Sequence, residues 1–436
     1  MSTETPLTFR GLGIDDNLLN VLDRLKFTTP TPIQHQAIPI AVDGKDVIGI
    51  AQTGTGKTLA FGVPLLQRIA KEGGRALILL PTRELAYQVE ESLSQFAPML
   101  GIKMAVFVGG ASMHRQREML RLNPKVLIAT PGRLNDHLQQ GTVTLKEVRI
   151  LVLDEADRML DMGFKPQIDR IIAHIPRDQR QTMLFSATMP HEIVKLATSQ
   201  MKLPLRIEVA PAGTTASAVE QELFIVRKEE KVRLLDKLLL EYQGPILVFS
   251  RTKHGAKKIT RSIRSMGHPA AEIHGNRSLR QRLDALEGFK RGTYRVLVAT
   301  DIAARGIDVT GIQVVINFDL PDDASDYVHR IGRTARAGRE GRAISFASPD
   351  QQSEIRNIEK LIRSQLPRRP LPQLPPARAP LPPGPGDDRD EADGSAYRKP
   401  YRSFSRPQGS GGGGRSSGGG GAGRGRGRGR GGPRFR

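Results

Sequence analysis

Short, nearly continuous apolar runs recur along the chain, each followed by a longer stretch whose apolar residues return every three or four positions. In the first part the runs are DVIGIA (46–51), RALILLP (75–81), KMAVFVGG (103–110), KVLIAT (125–130), RILVLDEAD (149–157) and QTMLFSAT (181–188). Runs this short, apolar toward both sides, predict parallel strands covered on both faces. The helical stretches between them complete βαβ units and an α/β sheet. The pattern pauses at VAPAGTTASA (209–218), which is small, polar and without period, as a linker is. It restarts with PILVFS (245–250), RVLVAT (295–300), VVINFD (314–319) and RAISFAS (342–348). Two α/β domains in tandem follow, over 1–208 and 219–366.

Beyond Leu366 both periods vanish. LPRRPLPQLPPARAPLPPGPG is proline-rich and GSGGGGRSSGGGGAGRGRGRGRGGPRFR is glycine and arginine; neither can bury a core, so 367–436 is expected to be disordered. That tail holds 15 Lys and Arg against 5 Asp and Glu, a net +10 of the chain's +21. Such an excess points to a polyanionic partner, nucleic acid first. The absence of cysteine excludes disulfides and thiolate zinc sites. The N-terminus lacks a secretory layout, and no apolar run nears the roughly 18 residues of a membrane span. A cytoplasmic protein with no membrane partner is expected.

Chemistry gathers where strands end. AQTGTGKT (51–58) lies between a strand and a helix, as a phosphate-binding loop requires. Gly54 and Gly56 let backbone N–H groups close around phosphate oxygens, alongside Ala51, Gln52, Thr53 and Thr55. Lys57 would reach the β- and γ-phosphates and Thr58 would ligate Mg²⁺. LVLDEAD (151–157) ends in Asp154, suited to the metal, and Glu155, suited to positioning or deprotonating a water. ATP and Mg²⁺ are therefore the expected cofactors.

DEAD at 154–157 together with AQTGTGKT resembles the DEAD-box family of ATP-dependent RNA helicases, and within it the bacterial RhlE-like subgroup. Further segments match in order over about residues 7–366. The resemblance implies two RecA-like domains. It implies that Gln34 of FTTPTPIQ reads the adenine edge, that Phe9 stacks on the ring, and that Asp308 joins the ATP site. PTRELA (Pro81, Thr82, Arg83), GG (Gly110) and TPGR (Thr130, Pro131, Gly132, Arg133) resemble the RNA-contacting motifs of the first domain. Arg251, Gly275, Arg282, Thr300, Asp301, Arg305 and Gly306 carry the same expectation in the second. SAT (Ser186, Ala187, Thr188) resembles the segment coupling hydrolysis to strand separation, although Ser186 and Thr188 also suit helix caps.

HRIGRTARAGREGR (329–342) places arginine at every third position, a step that winds around a helix instead of making one basic face. The resemblance sends Arg333 and Arg336 to the ATP phosphates, and His329 and Arg330 to a network linking ATP and RNA sites. Arg339 and Arg342 suit surface charge or RNA contact equally. Two positions depart from the family: Lys26 stands where glycine is usual, and Leu279 where glutamine is, which puts one RNA-proximal hydrogen bond in doubt.

The implied activity is local opening of short RNA duplexes, or remodelling of RNA–protein complexes, without sequence readout. Structured RNA is the expected partner, DNA is not, and ribosomal or RNA-decay assemblies are candidate settings. An ATP-gated RNA clamp and a chaperone acting through the tail are the alternatives. Intact Lys57, Asp154, Glu155, Arg333 and Arg336 speak against an inert clamp.

Overall fold

The computed structural model describes residues 7–52, 54–209, 219–304, 309, 311–334 and 341–376. The first domain holds β1 (Val47–Ile50), β2 (Arg75–Leu79), β3 (Met104–Phe107), β4 (Val126–Ala129), β5 (Val148–Leu153), β6 (Gln181–Ser186) and β7 (Leu205–Glu208). They form one parallel sheet in the order β3-β4-β2-β5-β6-β1-β7. The second domain holds β8 (Val219–Ile225), β9 (Ile246–Phe249), β10 (Ala270–Ile273), β11 (Val296–Ala299), β12 (Val314–Asn317), β13 (Gly341–Ala347) and β14 (Arg368–Arg369). Its order is β10-β11-β9-β12-β13-β8-β14, again parallel. Two tandem RecA-like α/β domains are the result.

The continuous apolar runs have the cause expected of them. Along β2, Ala76 and Ile78 join the hydrophobic cluster on one face while Leu77 and Leu79 join the other. The strands inside the sheet that carry these runs are thus buried from both sides, and polar alternation has little place in them. All ten expected strands are present. The four without such a signal are β7, β8, β10 and β14.

The second domain runs past the expected boundary at 366. Leu223 N donates to Pro367 O (2.9 Å), β14 pairs with β8, and Leu374 packs against the core. Arg369 reaches Glu222 at 3.2 Å, and Arg233 Nε donates to Pro375 O at 2.7 Å. Residues 367–376 therefore belong to the domain: they pair the edge strand and cover apolar surface, which composition alone does not reveal. The linker at 210–218 and the tail from 377 lie outside the described residues.

Candidate nucleotide and nucleic-acid sites

Strand order sorts the motifs into two groups. β5, β6 and β1 are consecutive neighbours, so the DEAD, SAT and phosphate-loop segments leave the sheet side by side. β3, β4 and β2 deliver GG, TPGR and PTRELA on the other half. Segments a hundred residues apart become neighbours because paired strands sit only about 5 Å apart.

In the first group, helix Lys57–Glu72 starts from Gly56, whose φ of +88° is left-handed. A Cβ there would lie 2.3 Å from Gln34 Nε2. That contact exists because Gln34 clips the loop: its Nε2 donates to Gly56 O (3.0 Å) and its Oε1 accepts from Thr31 N (2.9 Å). Thr31 Oγ1 adds a bond to Thr55 O at 2.7 Å. Gln34 thus sits buried against the loop, and Phe9 is part of the hydrophobic core. Both are built into the domain in this structure, with amide and ring already engaged.

Lys57 Nζ donates to Ala51 O at 2.9 Å beneath the loop, and Thr58 is half-buried. Burial pushes the Asp154 carboxyl up to about 6, against the pull of Lys57 and with the help of Glu155. Glu155 takes φ +51°, a region costly for a residue with a Cβ, and its Oε2 is buried without a partner. Backbone strain and an orphaned acceptor thus coincide at this one residue.

Asp157, which sequence reasoning passed over, binds the neighbouring strand. Its Oδ2 accepts from Ala187 N (3.1 Å), Thr188 N (2.9 Å) and Thr188 Oγ1 (2.9 Å), while Asp157 N donates to Ser186 Oγ (3.3 Å). Ser186 and Thr188 are thus fastened to the DEAD segment.

On the other half, Gly110 has φ +77°, and a Cβ there would lie 2.3 Å from Arg83 Nη1. Arg83 therefore lies across the GG turn. Arg133 Nη1 donates to Ala111 O (2.9 Å) and Gln116 Oε1 (3.1 Å), so its guanidinium ties TPGR to the GG turn. Thr82 caps helix Arg83–Ser94 through Leu85 N at 3.3 Å, Thr130 N donates to Phe107 O at 3.0 Å, and Pro131 opens helix Pro131–Gln139. Pro81 is buried, whereas a Cβ on Gly132 would meet nothing within 4 Å, leaving that backbone approachable.

In the second domain Arg330 is buried and bound to Asp301 through both carboxylate oxygens (2.5 and 2.6 Å). It also reaches Asn317 Oδ1 and Asp319 O, with its guanidinium over the Phe249 ring. Asp301, expected at RNA, is thus the counter-ion of Arg330. Arg333 is buried, and with His329, Arg330 and Asp301 it lines a cavity that Arg158 and Asp326 also line. Arg158 Nη1 meets Asp326 at 2.8 Å, joining the residue after DEAD to the arginine helix Ala324–Ile331. Thr300 is half-buried beside Asp301. Gly275 is exposed with open space around it, next to Arg277, which pairs with buried Glu272 at 2.5 Å. Arg251 binds Leu320 O and Asp322.

Arg282 pairs with Glu84 of the first domain at 2.7 Å instead of standing open. Leu279 begins the same helix and packs against the first domain's hydrophobic cluster, so apolar contact occupies the place of the doubtful hydrogen bond. Lys26 has φ +62°, the conformation that makes glycine usual there. Arg342 binds Glu220 at 2.5 Å and packs over Tyr242, which makes it a structural residue of the second sheet. Thr53, Arg305, Gly306, Asp308, Arg336 and Arg339 lie outside the described residues.

Comparison with known proteins gives a concordant result. Residues 31–196 match the DEAD/DEAH box helicase family model and residues 230–338 the helicase conserved C-terminal domain. The DEAD-box ATP-dependent RNA helicase CshA of Geobacillus kaustophilus is 41% identical over 371 residues, 84% of this chain and 79% of that protein. The ATP-dependent rRNA helicase RRP3 of Yarrowia lipolytica is 42% identical over 374 residues, 85% and 78% of the two chains. Among solved structures, S. cerevisiae Dbp5 bound to RNA and ADP BeF3 aligns with TM-score 0.75 at 30% identity, covering 84% of this chain and 96% of that one. Mss116p bound to ssRNA and AMP-PNP aligns with TM-score 0.77 at 28% identity, covering 85% and 81%.

Proposed function

This chain belongs to the DEAD-box family of ATP-dependent RNA helicases, and on that premise we propose how its residues divide the work. It is an RNA-dependent ATPase and helicase, converting ATP and water to ADP and phosphate. Lys57 and the loop N–H groups hold the β- and γ-phosphates. Thr58 and Asp154 offer two hard oxygen donors, too few for a protein cage and suited to Mg²⁺ that arrives with the phosphates. A dication also fits a carboxylate whose charge burial disfavours. When bound, the metal would neutralise charge on the transferring phosphoryl group. Glu155 orients the attacking water and accepts its proton. Arg333 and Arg336 are assigned to the γ-phosphate from the second domain, a contribution of about 10³–10⁵ in rate.

RNA runs over GG, TPGR and PTRELA in the first domain and over the Gly275 and Thr300 turns in the second. It is held by phosphates and 2′-hydroxyls, which favours RNA over DNA. Closure upon ATP distorts a short duplex, and hydrolysis releases it. The observation that carries this reading is the adjacency of β5, β6 and β1, with Asp157 bonded to the SAT segment. A time course of strand separation on a short RNA duplex, with ATP, a non-hydrolysable analogue or no nucleotide, tests it. Equal separation without nucleotide would overturn it in favour of the tail chaperone. Binding under ATP without separation would favour the clamp.

An RhlE-like assignment, a cytoplasmic setting and service to ribosomal or decay assemblies belong to the same proposal. Among the described residues no helix is long and apolar enough to cross a membrane. The arginine–glycine tail adds salt-dependent RNA affinity. Removing 377–436 is expected to leave turnover at saturating RNA intact while flattening the salt dependence of RNA binding. Removing 367–436 is expected also to lower the melting temperature, because β14 and Leu374 go with it. Identical melting of the two truncations would contradict the extended domain.

A further inference from the structure

Helix Met113–Arg121 buries one residue, and that residue is polar: Gln116. Met119 and Leu120 lay partly buried apolar side chains against the core, but the one fully buried side chain is an amide, which needs partners for each polar atom. Gln116 has them. Its Nε2 donates to Val108 O at 3.0 Å, the carbonyl immediately before Gly109 and Gly110. Its Oε1 accepts from Arg133 Nη1 at 3.1 Å and lies 2.9 Å from His137 Nε2. An amide oxygen only accepts, so His137 carries its proton on Nε2. The other ring nitrogen then faces Thr142 Oγ1 at 2.8 Å, and the fully buried imidazole meets the Phe107 ring edge-on.

One side chain therefore joins two otherwise separate segments, the GG turn and the TPGR helix, to its own helix. It holds the carbonyl that leads into the GG turn, the arginine of TPGR, and a histidine one turn further along the TPGR helix. Arg133 closes the circuit through Ala111 O, just past the turn. None of these partners reaches the nucleotide half of the sheet.

We propose that Gln116, braced by His137, is a positioning residue for RNA binding, setting the GG turn and the start of the TPGR helix at one fixed spacing. The inference rests on the reading that RNA crosses these two segments. Two phosphate contacts at fixed spacing need two backbones that do not move independently; without the amide, the turn and the helix start lose the Gln116 bonds and keep the one from Arg133 to Ala111 O. RNA affinity suffers while the ATP site, on β5, β6 and β1, does not.

The test uses the full chain with Gln116→Met, which keeps the volume and removes the three bonds. The RNA concentration giving half-maximal ATPase is expected to rise about tenfold, the size of one or two lost buried hydrogen bonds. Turnover at saturating RNA and ATP affinity without RNA are expected to stay within about twofold, since loss of a merely structural bond lowers the active fraction instead. Gln116→Glu keeps the acceptor for Arg133 and His137 and loses the donor to Val108, so it is expected to recover part of the loss. Gly110→Ala, which drives a methyl into Arg83, is measured beside them. If Gly110→Ala weakens RNA binding and Gln116→Met does not, the positioning role is overturned. If neither does, the RNA path falls as well and takes the inference with it.

Discussion

The two halves of the first domain's sheet differ in how they satisfy the side chains that carry their motifs. At the ends of β5, β6 and β1, Glu155 is strained with an orphaned oxygen and Asp154 is pushed toward the protonated form. At the ends of β3, β4 and β2, Arg133 Nη1, Gln116 and His137 are bonded to one another or to nearby carbonyls. Arg133 Nε and both Glu84 carboxylate oxygens, however, have ion pairs at most and lack hydrogen-bond partners among the described residues. Chemistry requires groups the fold leaves unsatisfied, so that substrate completes them. A binding platform requires the reverse, backbone held rigid before the ligand comes. Asp157 stands between the styles: satisfied itself, it fastens the SAT segment to the DEAD segment.

The sharpest way to break this contrast is Glu155→Gln. Turnover at saturating RNA is expected to fall by at least about a hundredfold, the range of a lost general base, while ATP and RNA still bind. Steady-state hydrolysis with equilibrium binding measures it, and unchanged turnover removes the role given to Glu155.

Asp154 offers a stability readout. Its folded value near 6 exceeds the ordinary 3.8, so between these the native state holds the proton more tightly than the unfolded chain. Stability contributed by this group is therefore lost as pH rises through that window, and the full penalty is present above it. Asp154→Asn is expected to melt several degrees higher than the parent at pH 8 without nucleotide, and the gap is expected to narrow by pH 5. A variant no more stable at pH 8 contradicts the frustrated half. Nucleotide affinity of the parent is expected to weaken below about pH 6 for the same reason.

The smallest effect is a control from outside both halves. Lys26 carries left-handed strain with no chemistry attached. Lys26→Gly is expected to stabilise the protein by about 1 kcal/mol, with activity unchanged. Thermal melting and ATPase together check it; lost activity would make this strain functional too.

Motif segments were legible because the chemistry is contiguous: a glycine loop with Lys57, or an acidic pair after apolar residues, carries its meaning within a few positions. The winding of the arginine helix showed only that its arginines do not share one face; Arg330 as a network residue came from the family resemblance. Asp301 as its partner, Glu84 facing Arg282 and Gln116 beneath Arg133 were not, since each is unremarkable until another segment arrives. Among the strands, β14 lacked the signal because an edge position tolerates polar residues, β8 because Glu220, Gln221 and Glu222 interrupt its apolar run, and β10 because four residues with a buried Glu272 do not read as apolar.

By itself, then, the sequence determined the two-domain α/β plan, the phosphate loop and the acidic strand end. Burial on both faces of a parallel sheet writes itself as continuous hydrophobicity, and phosphate chemistry demands adjacent residues. Only the tertiary structure decided strand order, and with it which motifs share an edge and which arginines are spent on carboxylates. Those are relations between distant segments, set by how helices pack and which carbonyls and carboxylates they leave to be paired.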